Sequence, residues 1–126
     1  MNKLWIAFAI IVFEVGFCVF QVSTVKNITQ NVQDQLGVVE EYVENDDIEN
    51  ALQHMKKIDE DWCVNYDLLA VFVPHEQIND ITTSIASVKN NLEQSQKEDF
   101  FLESVKTKTE LKCLRETELI KVQNIL

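Results

Sequence analysis

The chain has very little glycine and proline. Its 126 residues include two glycines and one proline, so it lacks most of the residues that form the tight turns of β-hairpins. A fold rich in β-strands is therefore disfavoured. The length corresponds to one domain with room for a short anchor.

Basic residues are also scarce. The chain has 11 Lys and Arg against 21 Asp and Glu, which gives a formal net charge of −10. Nucleic acid binding requires clustered Lys and Arg, and adhesion to anionic lipid requires polybasic segments. The charge argues against both, and it predicts an acidic domain outside any membrane.

One long apolar run lies at the N-terminus. Leu4 to Val22 contains a single charged side chain, Glu14, and at about 1.5 Å per residue a helix of this length matches the ~30 Å hydrocarbon core of a bilayer. Lys3 precedes the run and acidic residues follow it, so the positive-inside rule predicts a cytoplasmic N-terminus and an extracytoplasmic domain.

A cleaved signal peptide is the alternative to an anchor. The sequence FCVFQVST after the run has no good small-residue cleavage site, and Cys18 follows the bulky Phe17 where a lipoprotein has a small residue. We therefore predict a single-pass cell-membrane protein with an uncleaved anchor at 1–22, lipid contact through 4–22, and an extracytoplasmic domain at 23–126.

Glu14 has two main interpretations. It pairs with another helix, which is the usual role of an ionisable side chain within a membrane, or its apolar neighbours outweigh its cost of about 2.5–3.5 kcal/mol. A third interpretation compares it with the glutamate of type IV pilins. A cut after Ala9 would give the pilin spacing but would leave too few residues to span a bilayer.

The remaining residues show helical periodicity, with apolar side chains every three or four positions. The pattern predicts a first helix from about residue 3 to 44, a second ending near Pro74, a third to about Asn90, and a fourth from about Lys97 to Lys121 with a short docked tail at 122–126. The predicted inward residues are Val22, Val25, Ile28, Val32, Leu36, Val39 and Val43; Ile48, Ala51, Leu52, Met55, Ile58, Trp62, Leu69 and Phe72; Ile78, Ile81, Ile85, Val88 and Leu92; and Phe100, Phe101, Val105, Leu111 and Leu114.

The fold class that follows is all-α. We predict an N-terminal transmembrane helix continuing without a joint into an antiparallel bundle of about four helices. In the first turn, Asn45 or Asp46 is expected to cap the second helix, because the spacing of a calcium loop is missing. Pro74 either ends the second helix or begins the third.

Few residues suggest chemistry, and we predict no catalytic, cofactor-binding or metal-binding residue. The two histidines, His54 and His75, are far apart and form no H-E-x-x-H motif. Glu118 lies near the apolar stripe of the fourth helix and needs a partner, for which His75 or a buried lysine is a candidate. Glu118, His75 and Glu76 are therefore interpreted as structural hydrogen-bonding groups or as a polar site.

The cysteines leave two possibilities. Cys63 and Cys113 form a disulfide between the second and fourth helices, or they are two buried thiols. Cys18 lies in the apolar run. Asn27-Ile28-Thr29 matches a glycosylation sequon, and its position at the membrane surface favours a chance match.

Short motifs along the chain resemble the bacterial family DUF4363, a domain of unknown function. They are Ala51-Leu52 followed by Trp62, Phe72-Val73-Pro74-His75-Glu76, Ile78 with Ile81, and Glu118 with the terminal Asn124-Ile125-Leu126. The resemblance implies a membrane-anchored helical protein of a Gram-positive-type cell membrane, and it implies no activity, substrate or cofactor. Pro74 replaces a polar residue of the family pattern before the histidine.

Two functions remain open. The first is a non-enzymatic interaction or assembly module whose partner is another membrane protein. The second is a small extracytoplasmic ligand-binding or sensory domain that uses His75, Glu76 and Glu118 and acts through a membrane partner. A cleft that contains both His75 and Glu118 would favour the second.

Overall fold

The fold is all-α, as the sequence predicts. The computed structural model of the protein describes residues 2–125 and contains four helices, α1 (Asn2–Glu44), α2 (Ile48–Phe72), α3 (His75–Glu93) and α4 (Lys97–Ile125). No strand occurs within residues 2–125. The short turns between helices make each helix antiparallel to the next.

Each helix packs against two others, which gives a square arrangement. Helix α1 contacts α2 and α4, and α3 contacts the same two helices. In the described part of the chain, no Cα atoms of the diagonal pairs, α1 with α3 and α2 with α4, lie within 8 Å of each other. We call the end that carries the α2–α3 turn the base of the bundle, and the end that carries the other two turns the distal end.

The core follows alternating steps of three and four residues, the a and d positions of a heptad. In α3 all five predicted inward residues are buried. In α1 the seam also includes a polar residue, Thr29, which is fully buried. Its hydroxyl donates a hydrogen bond to the carbonyl oxygen of Val25 at 2.8 Å. The seam of α1 is Val25, Thr29, Val32, Leu36, Val39 and Val43.

Helix α4 departs from the prediction. Val105 was predicted to face inward, but its side chain is 54% exposed, and the buried positions are instead Ser104, Thr107 and Glu118, together with Phe100, Leu111 and Leu114. With Val122, which is also buried, polar residues occupy three of the seven buried positions, while Leu102, Leu119 and Ile120 are exposed. The apolar pattern of α4 therefore does not reveal its inward face.

The two distal turns share one geometry. Asp46 and Ser95 each adopt the left-handed conformation, with φ of 59° and 57°. The next amide in each turn donates to the carbonyl five residues earlier, from Asp47 to Tyr42 at 2.8 Å and from Gln96 to Asn91 at 2.9 Å. This is the Schellman motif, which usually has glycine at the left-handed position.

The cap of α2 was predicted one or two residues too early. The N-cap is Asp47, whose side chain accepts from the backbone N–H of Asn50, and neither Asn45 nor Asp46 takes this role. Asp46 cannot do so because its left-handed backbone ends α1.

The base is formed by the α2–α3 turn and the end of α4. Val73 is buried and extended, as a residue before proline prefers, and Pro74 precedes the first helical residue of α3, His75. Residues 122–125, predicted as a docked tail, continue α4 as helix, and Val122 is buried. Leu126 lies outside the described residues.

Candidate functional site

The most distinctive polar cluster lies where the apolar helix enters the bundle. Glu118 of α4 is 1% exposed. Its carboxylate accepts from Gln21 Nε2 of α1 at 2.8 Å and from Lys121 Nζ at 3.1 Å. A buried carboxylate is tolerated when both oxygens are paired, so this cluster fixes α1 against α4 at the base.

Two further polar contacts join α1 to α4 above this cluster. Arg115 donates to Thr29 Oγ1 at 3.4 Å and to Gln33 Oε1 at 3.0 Å. Nearer the distal end, Lys108 forms an ion pair with Glu40. Directional contacts along one interface fix the register of two helices, which apolar packing alone specifies less strictly.

Trp62 is buried in the core between α2 and α3. Its indole Nε1 donates to Thr82 Oγ1 at 2.8 Å, and that hydroxyl donates to the carbonyl of Ile78 at 2.8 Å. The ring is therefore packed and its one polar hydrogen is satisfied, as a buried tryptophan requires.

The predicted polar residues do not form one site. His75 and Glu76 are exposed at the start of α3, whereas Glu118 is sealed between α1 and α4. Among the described residues, no hydrogen bond or ion pair joins His75 to Glu118, whose partners are Gln21 and Lys121. Of the two predicted candidates for the partner of Glu118, a lysine and His75, the structure shows a lysine, Lys121, which is half-exposed rather than buried. His54 contacts Gln35 of α1.

The two outer cysteines form neither a disulfide nor a pair of buried thiols. Cys63 and Cys113 are both free and both exposed. They lie on the diagonal helices α2 and α4, whose Cα atoms are more than 8 Å apart, so an intramolecular disulfide is geometrically excluded in this fold. Outward positions also exclude the buried-thiol interpretation.

Glu14 lies on the part of α1 that the bundle does not cover. Residues 2–17 are exposed, Cys18 is half-buried and Val25 is fully buried. Glu14, Cys18, Gln21 and Val25 follow steps of four, three and four, so Glu14 extends the bundle-facing stripe of α1 by one turn beyond the base.

Clefts in the bundle are small. One of about 170 Å³ lies between α3 and α4 and is lined by Gln77, Asp80, Ile81, Glu110, Cys113, Leu114 and Thr117. Another of about 150 Å³ lies at the distal end beside Phe100. In the described range 2–125, no three His, Cys, Asp or Glu side chains are grouped so as to hold a metal ion.

Sequence reasoning missed Gln21 and Arg115. Each carries a weak signal, since Gln21 is the only amide side chain within the apolar run and Arg115 is the only arginine of the chain. Neither signal identifies a partner, because each contact joins residues that are more than eighty positions apart in the chain.

Together these features define a class of protein, an antiparallel four-helix bundle whose first helix extends beyond the bundle as an exposed apolar segment. Helix α1 has the length and composition to cross a bilayer, properties that a signal sequence shares. The model of the family DUF4363, a domain of unknown function, matches residues 19–125, and the chain belongs to that family. The match confirms the resemblance seen in the sequence. It leaves most of the apolar run outside its range.

No curated protein matches the chain, and no solved structure does.

Proposed function

We propose that the protein is a single-pass membrane-anchored interaction or assembly module without enzymatic activity. Its N-terminus is cytoplasmic, its bundle is extracytoplasmic, and its partner is another membrane protein. The observation that carries this proposal is the position of Glu14, an exposed carboxylate in the middle of an exposed apolar segment that continues without a break into the bundle.

The energetic argument starts from the cost of the carboxylate. An ionisable group near the middle of a bilayer costs about 2.5–3.5 kcal/mol on insertion scales, and a hydrogen-bonding partner on a second helix offsets that cost. Glu14 is on the stripe that the bundle covers higher up, through Cys18 and Gln21. A partner helix that reaches Glu14 therefore lies directly below the base of the bundle.

The test is co-purification from the native membrane with mild detergent. Wild-type protein with a C-terminal tag is compared with Glu14→Leu, and with Phe13→Leu as the matched control, because Phe13 is the adjacent exposed position of the same segment. We expect a specific membrane protein with the wild type and the control, and its loss with Glu14→Leu. Equal recovery from all three samples would contradict a role for Glu14.

The native cysteines test the orientation. Cys63 and Cys113 are exposed on the bundle, so a membrane-impermeant maleimide added to intact cells reaches both thiols when the bundle is outside. The control is Cys63→Ser with Cys113→Ser, which should abolish the labelling. Labelling that requires cell lysis would contradict an extracytoplasmic bundle.

The alternative function, a small ligand-binding or sensory domain, finds less support. It would use His75, Glu76 and Glu118 around one pocket, but Glu118 is sealed and hydrogen-bonded to Gln21 while the other two are exposed. The cleft between α3 and α4 is lined by other residues. We therefore retain the interaction module as the proposal.

A further inference from the structure

The uncovered part of α1 is short for a membrane span. Residues 2–16 reach about 22 Å at 1.5 Å per residue, whereas the hydrocarbon core of a bilayer is about 30 Å thick. The next residues are already engaged with the bundle, since the rings of Phe17 and Phe20 pack against Phe72 with centroid distances of 5.7 and 6.0 Å. An α1 that crosses the bilayer therefore brings the base of the bundle into contact with it.

The base carries apolar side chains that are exposed in the described part of the chain. Val71, Leu119 and Ile120, which we call the collar, are 70%, 46% and 55% exposed. Val71 precedes Phe72, which packs on α1. Leu119 and Ile120 follow Glu118, which accepts a hydrogen bond from Gln21 of α1. The collar thus lies on the two helices that flank α1, near the level of residues 17–21.

We propose that the base of the bundle is immersed in the outer interface of the bilayer and that the collar contacts lipid. The proposal rests on the membrane anchoring proposed above. It accounts for the short uncovered part of α1, because immersion of the base adds the residues needed to cross the bilayer. It also accounts for the exposed collar, because immersion removes these apolar side chains from water.

The distribution of charge fits a tilted immersion. The exposed polar start of α3, His75 and Glu76, belongs to the helix diagonal to α1, and a tilt of the order of 20°, usual for membrane helices, raises that corner towards water. At the end of α4, Lys121 lies beyond Glu118 on the membrane side of the base, and its long side chain extends back towards the headgroups and water. The chain has an acidic net charge, which anionic lipid repels, so we expect the base to contact zwitterionic lipid.

Site-directed spin labelling of the full chain in phosphatidylcholine vesicles tests this placement. The background is Cys18→Ala with Cys63→Ser and Cys113→Ser, and single labels are placed by Val71→Cys and Ile120→Cys. Matched controls are Leu102→Cys and Val105→Cys, which are 70% and 54% exposed on α4 towards the distal end. Ile11→Cys reports on the span itself. The measurement is the accessibility of each nitroxide to oxygen and to a water-soluble nickel complex.

We expect the oxygen-to-nickel ratio at Val71→Cys and Ile120→Cys to exceed that of the two controls several-fold and to approach that of Ile11→Cys. Ratios equal to those of the controls, with Ile11→Cys still in lipid, would overturn the proposal and would mean that the bilayer thins around a short span. Low accessibility to both reagents would also overturn it, because the collar would then be covered by protein. A water-exposed Ile11→Cys would refute the anchoring itself.

Discussion

Gln21 and Glu118 are 97 positions apart in the chain and are joined by a hydrogen bond of 2.8 Å. This contact ties the last turn of the apolar run to a buried carboxylate near the end of α4. Because Lys121 occupies the other carboxylate oxygen, the three side chains form one polar unit at the base of the interface between α1 and α4.

The Gln21–Glu118 contact should show strong energetic coupling. We expect Gln21→Leu to lower the free energy of unfolding by about 1–3 kcal/mol, because it deprives a buried carboxylate of a partner. Adding Glu118→Leu should recover much of that loss, since an apolar pair removes the buried carboxylate that has lost one of its two partners. Denaturant unfolding in detergent, followed by circular dichroism, measures the cycle. The control is Gln123→Leu, at an exposed position of α4, the helix of Glu118. If the free-energy changes of the two single variants simply add up in the double variant, the coupling is refuted.

Thr82 should matter for stability although it is only half-buried. Thr82→Val leaves the indole N–H of Trp62 without its acceptor, and we expect a loss of about 1–3 kcal/mol. Tryptophan emission during denaturant unfolding, measured in a Trp5→Phe background so that Trp62 is the only emitter, reports the change. The control is Thr83→Val, at the exposed neighbouring position, which should have an effect within about 0.5 kcal/mol. Equal effects at the two threonines would contradict the role of the hydrogen bond.

The same substitution should have opposite effects at two buried serines. Ser104 Oγ has no hydrogen-bond partner in the described chain, so Ser104→Ala removes an unsatisfied polar group and should raise stability by up to about 1 kcal/mol. Ser84 donates to Glu110 at 2.7 Å, so Ser84→Ala should lower it by about 1 kcal/mol. The midpoints of thermal unfolding of the two variants should move in opposite directions. A shift of both in one direction would show that burial alone decides the effect.

Glycine should stabilise a turn that now uses serine. Ser95 has φ of 57°, a conformation that costs an L-residue with a side chain about 1–2 kcal/mol. Ser95→Gly should therefore raise the free energy of unfolding by up to about 1 kcal/mol, part of the gain being offset by the greater freedom of glycine in the unfolded chain. Ser95→Ala keeps the Cβ and should give no such gain. A destabilising Ser95→Gly would contradict this account of the turn.

The sequence predicted the helices because their apolar spacing is regular. The buried residues of α3 fall at steps of three and four, and α1 has no helix breaker between the apolar run and Glu44. The same method failed for Val105, because in α4 the inward positions include Ser104, Thr107 and Glu118. A seam with that many polar residues has no apolar periodicity to detect.

For the turns, too, the sequence predicted one feature and missed another. Scarcity of glycine correctly disfavoured β-hairpins, but it could not reveal that Asp46 and Ser95 take the left-handed position that glycine usually fills. For the same reason the cap of α2 was placed before Asp47. The conformation of such a residue depends on the helix that it ends.

Composition and periodicity thus determined the fold class, the number of helices, the acidic surface and the exposed apolar segment, because these properties depend on local spacing along one chain. Tertiary structure decided which helices are neighbours, and with that every long-range pairing. It separated Cys63 from Cys113 by placing them on diagonal helices, and it joined Glu118 to Gln21 rather than to His75. Contacts between distant residues depend on the order and rotation of packed helices, which the spacing within any one helix does not encode.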